Sequence, residues 1–278
     1  MKKLTSYCSV LGLLIILCFN SSHLIAQEVG LQLYSLRNQF KKDVPGTLKL
    51  ISDWGIEAIE GGDSYGMPIA EFKDLLTKNR LKVVSVGASF EELRDNPKDV
   101  VARAKTYGAS YVMCSWIPHS GNTFGILEAQ NAVAVFNEAG KVLQENGLQL
   151  VYHAHGYEFR PFKTGTLFDY MAENAIHFNF EMDVYWVHHA GVDPLQLLKK
   201  YPKKFKLMHL KDMKKGTPKD DTGKANVETN VVLGTGEVNI AGLVAEAKKI
   251  GIAYLFIEDE SSRVVDQIPK SLVYLNGL

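Results

Sequence analysis

The sequence is poor in cysteine and has no excess of charge of either sign. Its 278 residues contain three cysteines, of which Cys8 and Cys18 lie near the N-terminus and Cys114 lies further along the chain. The 31 Lys and Arg residues balance 31 Asp and Glu residues, so the formal net charge is +0. A balanced charge provides no general attraction to nucleic acids or acidic membranes, and we expect neither as a partner.

Long apolar runs are also lacking beyond the N-terminal segment. Two lysines precede a short apolar stretch at residues 10–19, and small residues follow it up to Ala26. This order is typical of a secretory signal peptide, while an uncleaved anchor or a buried first helix is the alternative. We expect residues 1–26 to be removed and residues 27–278 to be an exported, periplasmic protein without a membrane span. Its one remaining cysteine excludes an internal disulfide, so a hydrophobic core must stabilise the fold.

Short apolar segments alternate regularly with amphipathic segments in the rest of the chain. The apolar segments are typical of buried β-strands, and they are residues 29–35, 56–60, 82–88, 111–116, 149–155, 177–185, 206–211 and 254–258. The helical segments include residues 45–53, 69–78, 98–107, 128–145, 194–200 and 240–249. Eight such repeats predict a single-domain α/β fold, the closed (β/α)8 TIM barrel. An open doubly wound sheet is the alternative, but no G-x-G-x-x-G motif follows the first strand.

One long irregular connection, residues 212–239, follows the seventh predicted strand. It contains four glycines and a proline among charged residues. Connections of this length in compact domains are usually functional or disordered. Because it leaves the C-terminal end of a strand, we expect it to lie over the face where barrel enzymes bind their substrates.

Imidazole and charged side chains lie near the ends of the last four predicted strands. They are His153 and His155, then Glu181 and Asp183 with Tyr185, then His209 and Lys211, then Glu258 and Glu260. Side chains alternate along a strand, so the members of each group share a face, which we expect to point to the barrel axis. Such a cluster predicts a divalent metal site, and its mixed nitrogen and oxygen ligands suit Mn²⁺, Mg²⁺, Co²⁺ or Zn²⁺. The alternative is a set of hydrogen-bonded core histidines and surface carboxylates.

These segments resemble the sugar phosphate isomerase/epimerase superfamily of xylose isomerase-like TIM barrels, which also includes AP endonuclease family-two barrels. The resemblance spans nearly all of residues 27–278. It lies in GLQLYSLR at residues 30–37, YHAHGYEF at residues 152–159, MDVYW at residues 182–186, HLKD at residues 209–212 and LGTGEV at residues 233–238.

The resemblance implies a set of metal ligands. Members of the superfamily hold a divalent metal with a carboxylate from strand five, an Asp from strand six, a His from strand seven and a Glu from strand eight. By position, the last three are Asp183, His209 and Glu258. The strand-five position holds His153 instead of a carboxylate, with His155 or Glu158 as alternative ligands.

A second departure concerns the position three residues after the strand-six Asp. There the superfamily usually has a His, and this chain has Trp186, with His188 or His189 as substitutes.

The resemblance also implies proton abstraction next to a carbonyl of a sugar or keto sugar, with the metal stabilising the enediolate charge. Glu258 is the candidate base, and His153 or Glu158 would return the proton or protonate a leaving oxygen. Lys211 would neutralise an oxyanion or bind a hydroxyl, unless it forms a salt bridge with Asp212 at the barrel rim. Replacement of the strand-five glutamate by His153 speaks against the superfamily's symmetric two-base mechanism.

Polar and aromatic residues near strand ends are candidates for the wall of a sugar-binding pocket. They are Gln32, Tyr34, Glu60, Trp116, His155 and Trp186. For each aromatic residue, the alternative is packing in the core.

These observations predict a metal-dependent isomerase or epimerase acting on a small carbohydrate. Export disfavours a phosphorylated substrate. One alternative is a 3-keto-glycoside lyase or inosose-type dehydratase using the same site, and another is a non-catalytic carbohydrate-binding barrel. A nucleic-acid repair enzyme of this fold is disfavoured by the balanced charge. The sequence leaves open whether the chain forms a homo-oligomer.

Overall fold

Eight parallel strands form a closed barrel in the computed structural model, which describes residues 27–278. The predicted signal peptide at residues 1–26 therefore lies outside the described residues. The strands are β1 (Glu28–Gln32), β2 (Ala58–Glu60), β3 (Lys82–Gly87), β4 (Tyr111–Cys114), β5 (Gln149–His153), β6 (Phe178–Asp183), β7 (Phe205–Leu210) and β8 (Tyr254–Ile257). Each pairs with the next along the chain, and β8 pairs with β1. The predicted TIM barrel is confirmed, and each predicted strand is present.

Helices surround this barrel. They are α1 (Arg37–Phe40), α2 (Val44–Asp53), α3 (Ile69–Lys78), α4 (Phe90–Asp95), α5 (Pro97–Tyr107), α6 (Ile126–Glu145), α7 (Leu167–Asn174), α8 (Val184–His189), α9 (Pro194–Lys200), α10 (Ile240–Ile250) and α11 (Val264–Leu275). Gly108 ends α5 and Gly251 ends α10, both with the left-handed backbone that glycine favours. Within residues 27–278, no helix has both the length and the apolar character that crossing a membrane requires.

An apolar layer fills the middle of the barrel. It consists of one inward side chain from each of six strands: Ala58, Val84, Met113, Val151, Leu207 and Phe256. Gly30 of β1 makes room for the largest of them, since a Cβ there would lie 2.7 Å from Phe256 Cδ1. This layer closes the barrel from below, so the polar residues above it form the floor of an opening at the C-terminal end.

Four of the predicted strands extend two or three residues too far along the chain, since β1 ends at Gln32 and β4 ends at Cys114. The ends of β5 and β6 also come early. β5 ends at His153, and the chain then turns at Gly156, whose φ is 135°. β6 ends at Asp183, whose carboxylate accepts a hydrogen bond of 2.9 Å from the Trp186 backbone N–H and thereby caps α8. The prediction that Tyr185 shares a strand face with Asp183 is therefore wrong, because Tyr185 lies on α8.

A buried carboxylate at the start of the 212–239 connection, that of Asp212, binds the backbone near the end of the same connection. Asp212 accepts hydrogen bonds from the backbone N–H groups of Gly234 at 2.9 Å, Gly236 at 2.8 Å and Val238 at 3.1 Å. From the same connection, Gly223 reaches the opening of the barrel. The connection thus lies over the face where it was expected.

Candidate active site

A cavity of about 560 Å³ opens above the apolar layer at the C-terminal end of the barrel. The buried side chains of Glu60, His153, His209 and Glu258 line its floor and walls, while the rings of Tyr34 and Trp116 are about half exposed. All the residues predicted for a pocket wall line this cavity, namely Gln32, Tyr34, Glu60, Trp116, His155 and Trp186. We call it the catalytic cavity.

Four buried side chains converge at this cavity. One ligand atom from each of His153, Asp183, His209 and Glu258 lies within 4.8 Å of the others. Asp183 Oδ2 is 3.2 Å from His153 Nε2 and 3.9 Å from His209 Nδ1, which is 3.4 Å from Glu258 Oε2. Two imidazole nitrogens and two carboxylate oxygens are a ligand set that suits a divalent transition metal. These are the four residues predicted as ligands, and we call them the metal cluster.

The hydrogen bonding of His209 also fits a metal ligand. Its Nε2 lies 2.6 Å from Glu60 Oε2, whereas its buried Nδ1 has no hydrogen-bond partner among residues 27–278. An imidazole that donates one N–H to a carboxylate presents its other nitrogen to a metal in a fixed orientation. The Nδ1 atom faces Asp183 and Glu258, so the unpartnered nitrogen is the one directed into the cluster.

Negative charge around His209 favours a cation at this position. Burial alone would lower the pKa of His209, but neighbouring carboxylates, led by Glu181, outweigh burial and hold that pKa well above its usual value. Glu181 lies 3.1 Å from His209 Nε2, and burial together with the Glu60 charge raises the pKa of Glu181 to about 7. A metal ion would take the place of the proton on His209, because ligand histidines bind in the neutral form. Glu181 belongs to the inward-facing charged group predicted at this end of the barrel, although it is not one of the four predicted ligands.

Lys211 is a buried cation beside the metal cluster. Its Nζ lies 3.3 Å from Glu258 Oε2, pairs with the Glu260 carboxylate, and lies 5.4 Å from the centre of the Trp186 ring. The alternative of a rim salt bridge between Lys211 and Asp212 is wrong, since the Asp212 carboxylate is held by the backbone of the 212–239 connection. Glu260, a member of the predicted cluster of charged residues at the strand ends, also lines the cavity.

The charge on Glu258 is stabilised by these cations. Burial raises the pKa of Glu258, but Lys211 and then His209 outweigh burial and hold that pKa well below its usual range. The carboxylate is therefore ionised at neutral pH, as a metal ligand or a base must be.

Two predicted catalytic residues, Lys211 and Glu158, do not line the catalytic cavity. Lys211 still contacts Glu258 of the metal cluster, whereas the contacts of Glu158 lie apart from the cluster. The Glu158 side chain is fully buried. Its Oε2 accepts hydrogen bonds from the backbone N–H groups of His155 at 3.1 Å and Gly156 at 2.9 Å, and its Oε1 accepts one from the Tyr152 hydroxyl. Glu158 therefore holds the turn that carries His155, and it does not line the catalytic cavity.

Neither His188 nor His189 takes the place of the ligand that Trp186 replaces. His188 Nε2 lies 3.1 Å from Glu237 Oε1, and His189 Nδ1 lies 3.0 Å from the backbone oxygen of Asp220. Both rings thus contact groups outside the metal cluster, while Trp186 itself forms part of the cavity wall.

Known proteins share this architecture. The sequence model of the xylose isomerase-like TIM barrel family matches residues 48–275. No curated protein matches the chain in sequence.

Three solved structures illustrate the fold that this chain shares with known proteins. A sugar phosphate isomerase/epimerase from Parabacteroides distasonis is 23% identical, with 91% of this chain and 99% of that chain covered and a TM-score of 0.75. A probable 3-DHS dehydratase from Bacillus anthracis is 14% identical, with 90% and 99% covered and a TM-score of 0.69. The IolI protein with a bound zinc atom is 15% identical, with 90% and 97% covered and a TM-score of 0.70. The match to the family model over most of the chain confirms the resemblance, and the protein belongs to the xylose isomerase-like TIM barrel family.

Proposed function

We propose that the protein is a divalent-metal-dependent isomerase or epimerase that removes a proton next to a carbonyl of a sugar or keto sugar. The observation that supports this most strongly is the convergence of the four buried ligand atoms of the metal cluster within 4.8 Å at a cavity of about 560 Å³. A cavity of this size suits a small organic ligand, since such sites measure roughly 300–1,000 Å³. The class of reaction, isomerisation or epimerisation, is inferred from membership of the family.

The residues of the metal cluster fit a divalent cation, which His153, Asp183, His209 and Glu258 would hold. Such a cation stabilises the negative charge that develops on a substrate oxygen when the neighbouring carbon loses its proton.

Glu258 is the proposed base. It is ionised, it lines the catalytic cavity, and Lys211 lies 3.3 Å from it. A positioned base contributes on the order of 10²–10⁴-fold to a rate. The aromatic faces of Trp116 and Trp186 in the cavity wall provide apolar contact for the substrate carbons, and Gln32 provides a hydrogen-bonding group.

A lyase or dehydratase reaction is the second candidate, and the placement of Lys211 favours it. A metal-bound His153 has no free basic nitrogen with which to accept a proton, and Glu158 lies outside the cavity. That leaves the ionised Glu258 with a buried ammonium group beside it. In an elimination, Glu258 would take the proton from carbon and pass it to the leaving oxygen as the carbon–oxygen bond breaks, while the positive charge of Lys211 beside it would stabilise the developing negative charge. Export of the protein, predicted from residues 1–26, stays a prediction. Because export disfavours a phosphorylated substrate, we propose that the substrate carries no phosphate.

Metal analysis of the purified protein tests the site. We expect the wild type to bind one divalent ion per chain and Asp183→Ala and His209→Ala to lose it, because each removes a buried ligand. The matched control is His177→Ala, since His177 lies on the connection before β6, where its ring contacts Gln144. Equal metal content in the wild type and both ligand variants would contradict the proposal and favour a non-catalytic carbohydrate-binding barrel.

Solvent deuterium then tests the reaction. With a panel of aldoses, ketoses and 3-keto glycosides in D₂O, we expect deuterium to enter the carbon next to the carbonyl, and Glu258→Gln to reduce this exchange about 10²-fold or more. Elimination products would identify the lyase. Sugars that bind without exchange and without product would contradict both enzyme proposals.

A further inference from the structure

A second cavity of about 760 Å³ lies beside the catalytic cavity. The two share four wall residues, Gln32, Tyr34, Gly61 and Gly87, so they are continuous. The second cavity extends over the C-terminal ends of β1 to β3 and reaches α5, and no member of the metal cluster lines it. We call it the side groove.

Two glycines let the chain after β2 lie close against the barrel, beside the junction of the two cavities. Gly61 and Gly62 follow β2 with φ values of 153° and 143°. A Cβ atom would lie 2.8 Å from Leu33 Cδ1 at the first position and 2.8 Å from Val86 Cγ1 at the second. The chain can therefore lie close against the barrel here only because these residues are glycines. As a result, bare backbone forms the boundary between the catalytic cavity and the side groove.

The next residues of this connection hold an aromatic ring in the side groove. Tyr65 has a φ of 54°, and its ring stacks on Phe40 with centres 4.1 Å apart. Positive φ is uncommon for a residue with a large side chain, and such backbone conformations concentrate at ligand sites. The stacking fixes the Tyr65 ring, so this wall of the groove is formed before any ligand arrives.

The side groove combines apolar faces with hydrogen-bonding groups. Tyr34 is 55% exposed and Ile69 is 51% exposed, and the half-buried Tyr65 and Tyr107 continue the apolar surface. Ser64 provides a hydroxyl among them. Flat apolar faces with a few polar groups suit an uncharged ring such as a sugar or an aromatic aglycone.

The charges of the side groove do not favour a phosphate group. Arg103 forms an ion pair of 2.5 Å with Glu92 and donates to the backbone oxygen of Gly87 at 2.8 Å. Arg37 donates to the backbone oxygens of Tyr34 at 3.1 Å and Glu260 at 2.9 Å. Both arginines of the groove are thus already engaged, so an uncharged ligand matches the groove better than an anion.

We propose that the substrate is a glycoside of at least two units, with the reacting sugar in the catalytic cavity and an uncharged second ring in the side groove. This inference rests on the proposed function and names its substrate class. The catalytic cavity alone has the volume of a complete small-molecule site, so a single sugar ring would lie entirely within it. The larger side groove would then remain empty. A linkage between two rings can pass over Gly61, where the two cavities meet.

Matched pairs of sugars test the proposal by calorimetric titration of the metal-loaded protein. The probes are D-glucose against cellobiose and 4-nitrophenyl β-D-glucopyranoside, and D-galactose against lactose and 4-nitrophenyl β-D-galactopyranoside. We expect a glycoside in at least one set to bind about tenfold more tightly than its monosaccharide. Ile69→Trp places a large ring in the groove and should bring this ratio close to one. Ile176→Trp, at a position that is 75% exposed on the connection before β6, is the matched control and should keep the ratio.

The outcomes separate this inference from the proposed function. Absence of a glycoside preference in every set, or a preference that survives Ile69→Trp, overturns the side-groove proposal. If monosaccharides exchange deuterium but the protein shows no preference for glycosides, the proposed function stands and only the side-groove proposal is overturned. If glycosides bind more tightly but neither proton exchange nor elimination occurs, the side-groove proposal is supported and the proposed enzymatic function is contradicted. A dimer in sedimentation that Ile69→Trp dissociates would assign the groove to a second copy of the chain and also overturn the proposal.

Discussion

Glu60 orients a proposed metal ligand from the other side of the barrel. It lies on β2, is fully buried, and its Oε2 is 2.6 Å from His209 Nε2 and 2.8 Å from Gln32 Nε2. Since His209 Nδ1 faces the metal cluster, the hydrogen bond at Nε2 sets both the ring orientation and the position of the imidazole proton. Glu60 is therefore a positioning residue as well as part of the cavity wall.

Glu60→Gln should weaken metal binding by about 10–100-fold, which is the usual cost of losing such a supporting carboxylate. The neutral amide removes a negative charge that favours the cation, and it holds His209 less firmly. Competition titration with a chromogenic chelator measures the affinity without depending on activity. Glu158→Gln is the matched control, because Glu158 is equally buried but lies away from the cavity, and it should leave the affinity unchanged. Wild-type affinity in Glu60→Gln would contradict the role of Glu60.

The metal ligands were predictable because each lies on a strand or directly after its end, whereas the placement of a side chain beyond a turn was not. The alternation of side chains placed His153, His209 and Glu258 on the inner face, and the structure brings them together at the cavity. The same reasoning does not apply to Glu158, since the chain turns at Gly156 and the side chain then faces the Tyr152 hydroxyl. For Glu260 the orientation was predictable, because it shares a face with Glu258, but its ion pair with Lys211 was not, because no pattern in the sequence indicates it.

At the level of elements, predictions failed where an apolar run contains a change of secondary structure. Residues 177–185 are apolar enough for one strand, but Asp183 caps α8 at their end. Periodicity cannot distinguish a buried strand from a short buried helix, so this boundary was not predictable. The ribbon of Pro161–Phe162 with Gly165–Thr166 was also missed, because strands of two residues leave no pattern in the sequence.

Asp212 is expected to control the order of the 212–239 connection. Asp212→Asn replaces one acceptor oxygen by an NH₂ group that faces backbone N–H donors, so we expect the free energy of unfolding to fall by about 1–3 kcal/mol. Urea denaturation measures this change, and limited proteolysis should show faster cleavage within residues 212–239. Asp74→Asn, at an exposed position of α3, serves as the control and should change neither. Unchanged proteolysis in Asp212→Asn would show that other contacts hold the connection.

On the scale of the whole molecule, the middle of the barrel is apolar and stabilises the fold, while its C-terminal end contains the residues of the proposed site. The apolar layer and the packing of helices on strands form the core, whereas the C-terminal end buries several carboxylates. Four of them lie within 4 Å of His209, namely Glu60, Glu181, Asp183 and Glu258. Buried charges that lack sufficient partners are unfavourable, and both Glu181 oxygens have no hydrogen-bond partner among residues 27–278. The fold thus keeps an excess of negative charge at one end, which a bound cation would offset.

Metal removal should therefore lower the stability of the whole barrel. A metal that binds only the folded state stabilises it by about 2.7 kcal/mol at a free concentration of one hundred times its Kd. For a barrel of this size, we expect excess EDTA to lower the Tm by about 5–10 °C relative to the metal-loaded protein. Differential scanning calorimetry of the wild type with metal and with EDTA measures this shift. Asp183→Ala lacks a ligand, so its Tm should be the same under both conditions. An equal Tm for the wild type with and without metal would mean that the cluster binds no cation in the folded state, and the excess of buried negative charge would then have to be balanced by protonation, with Glu181 the first candidate because its pKa is raised to about 7.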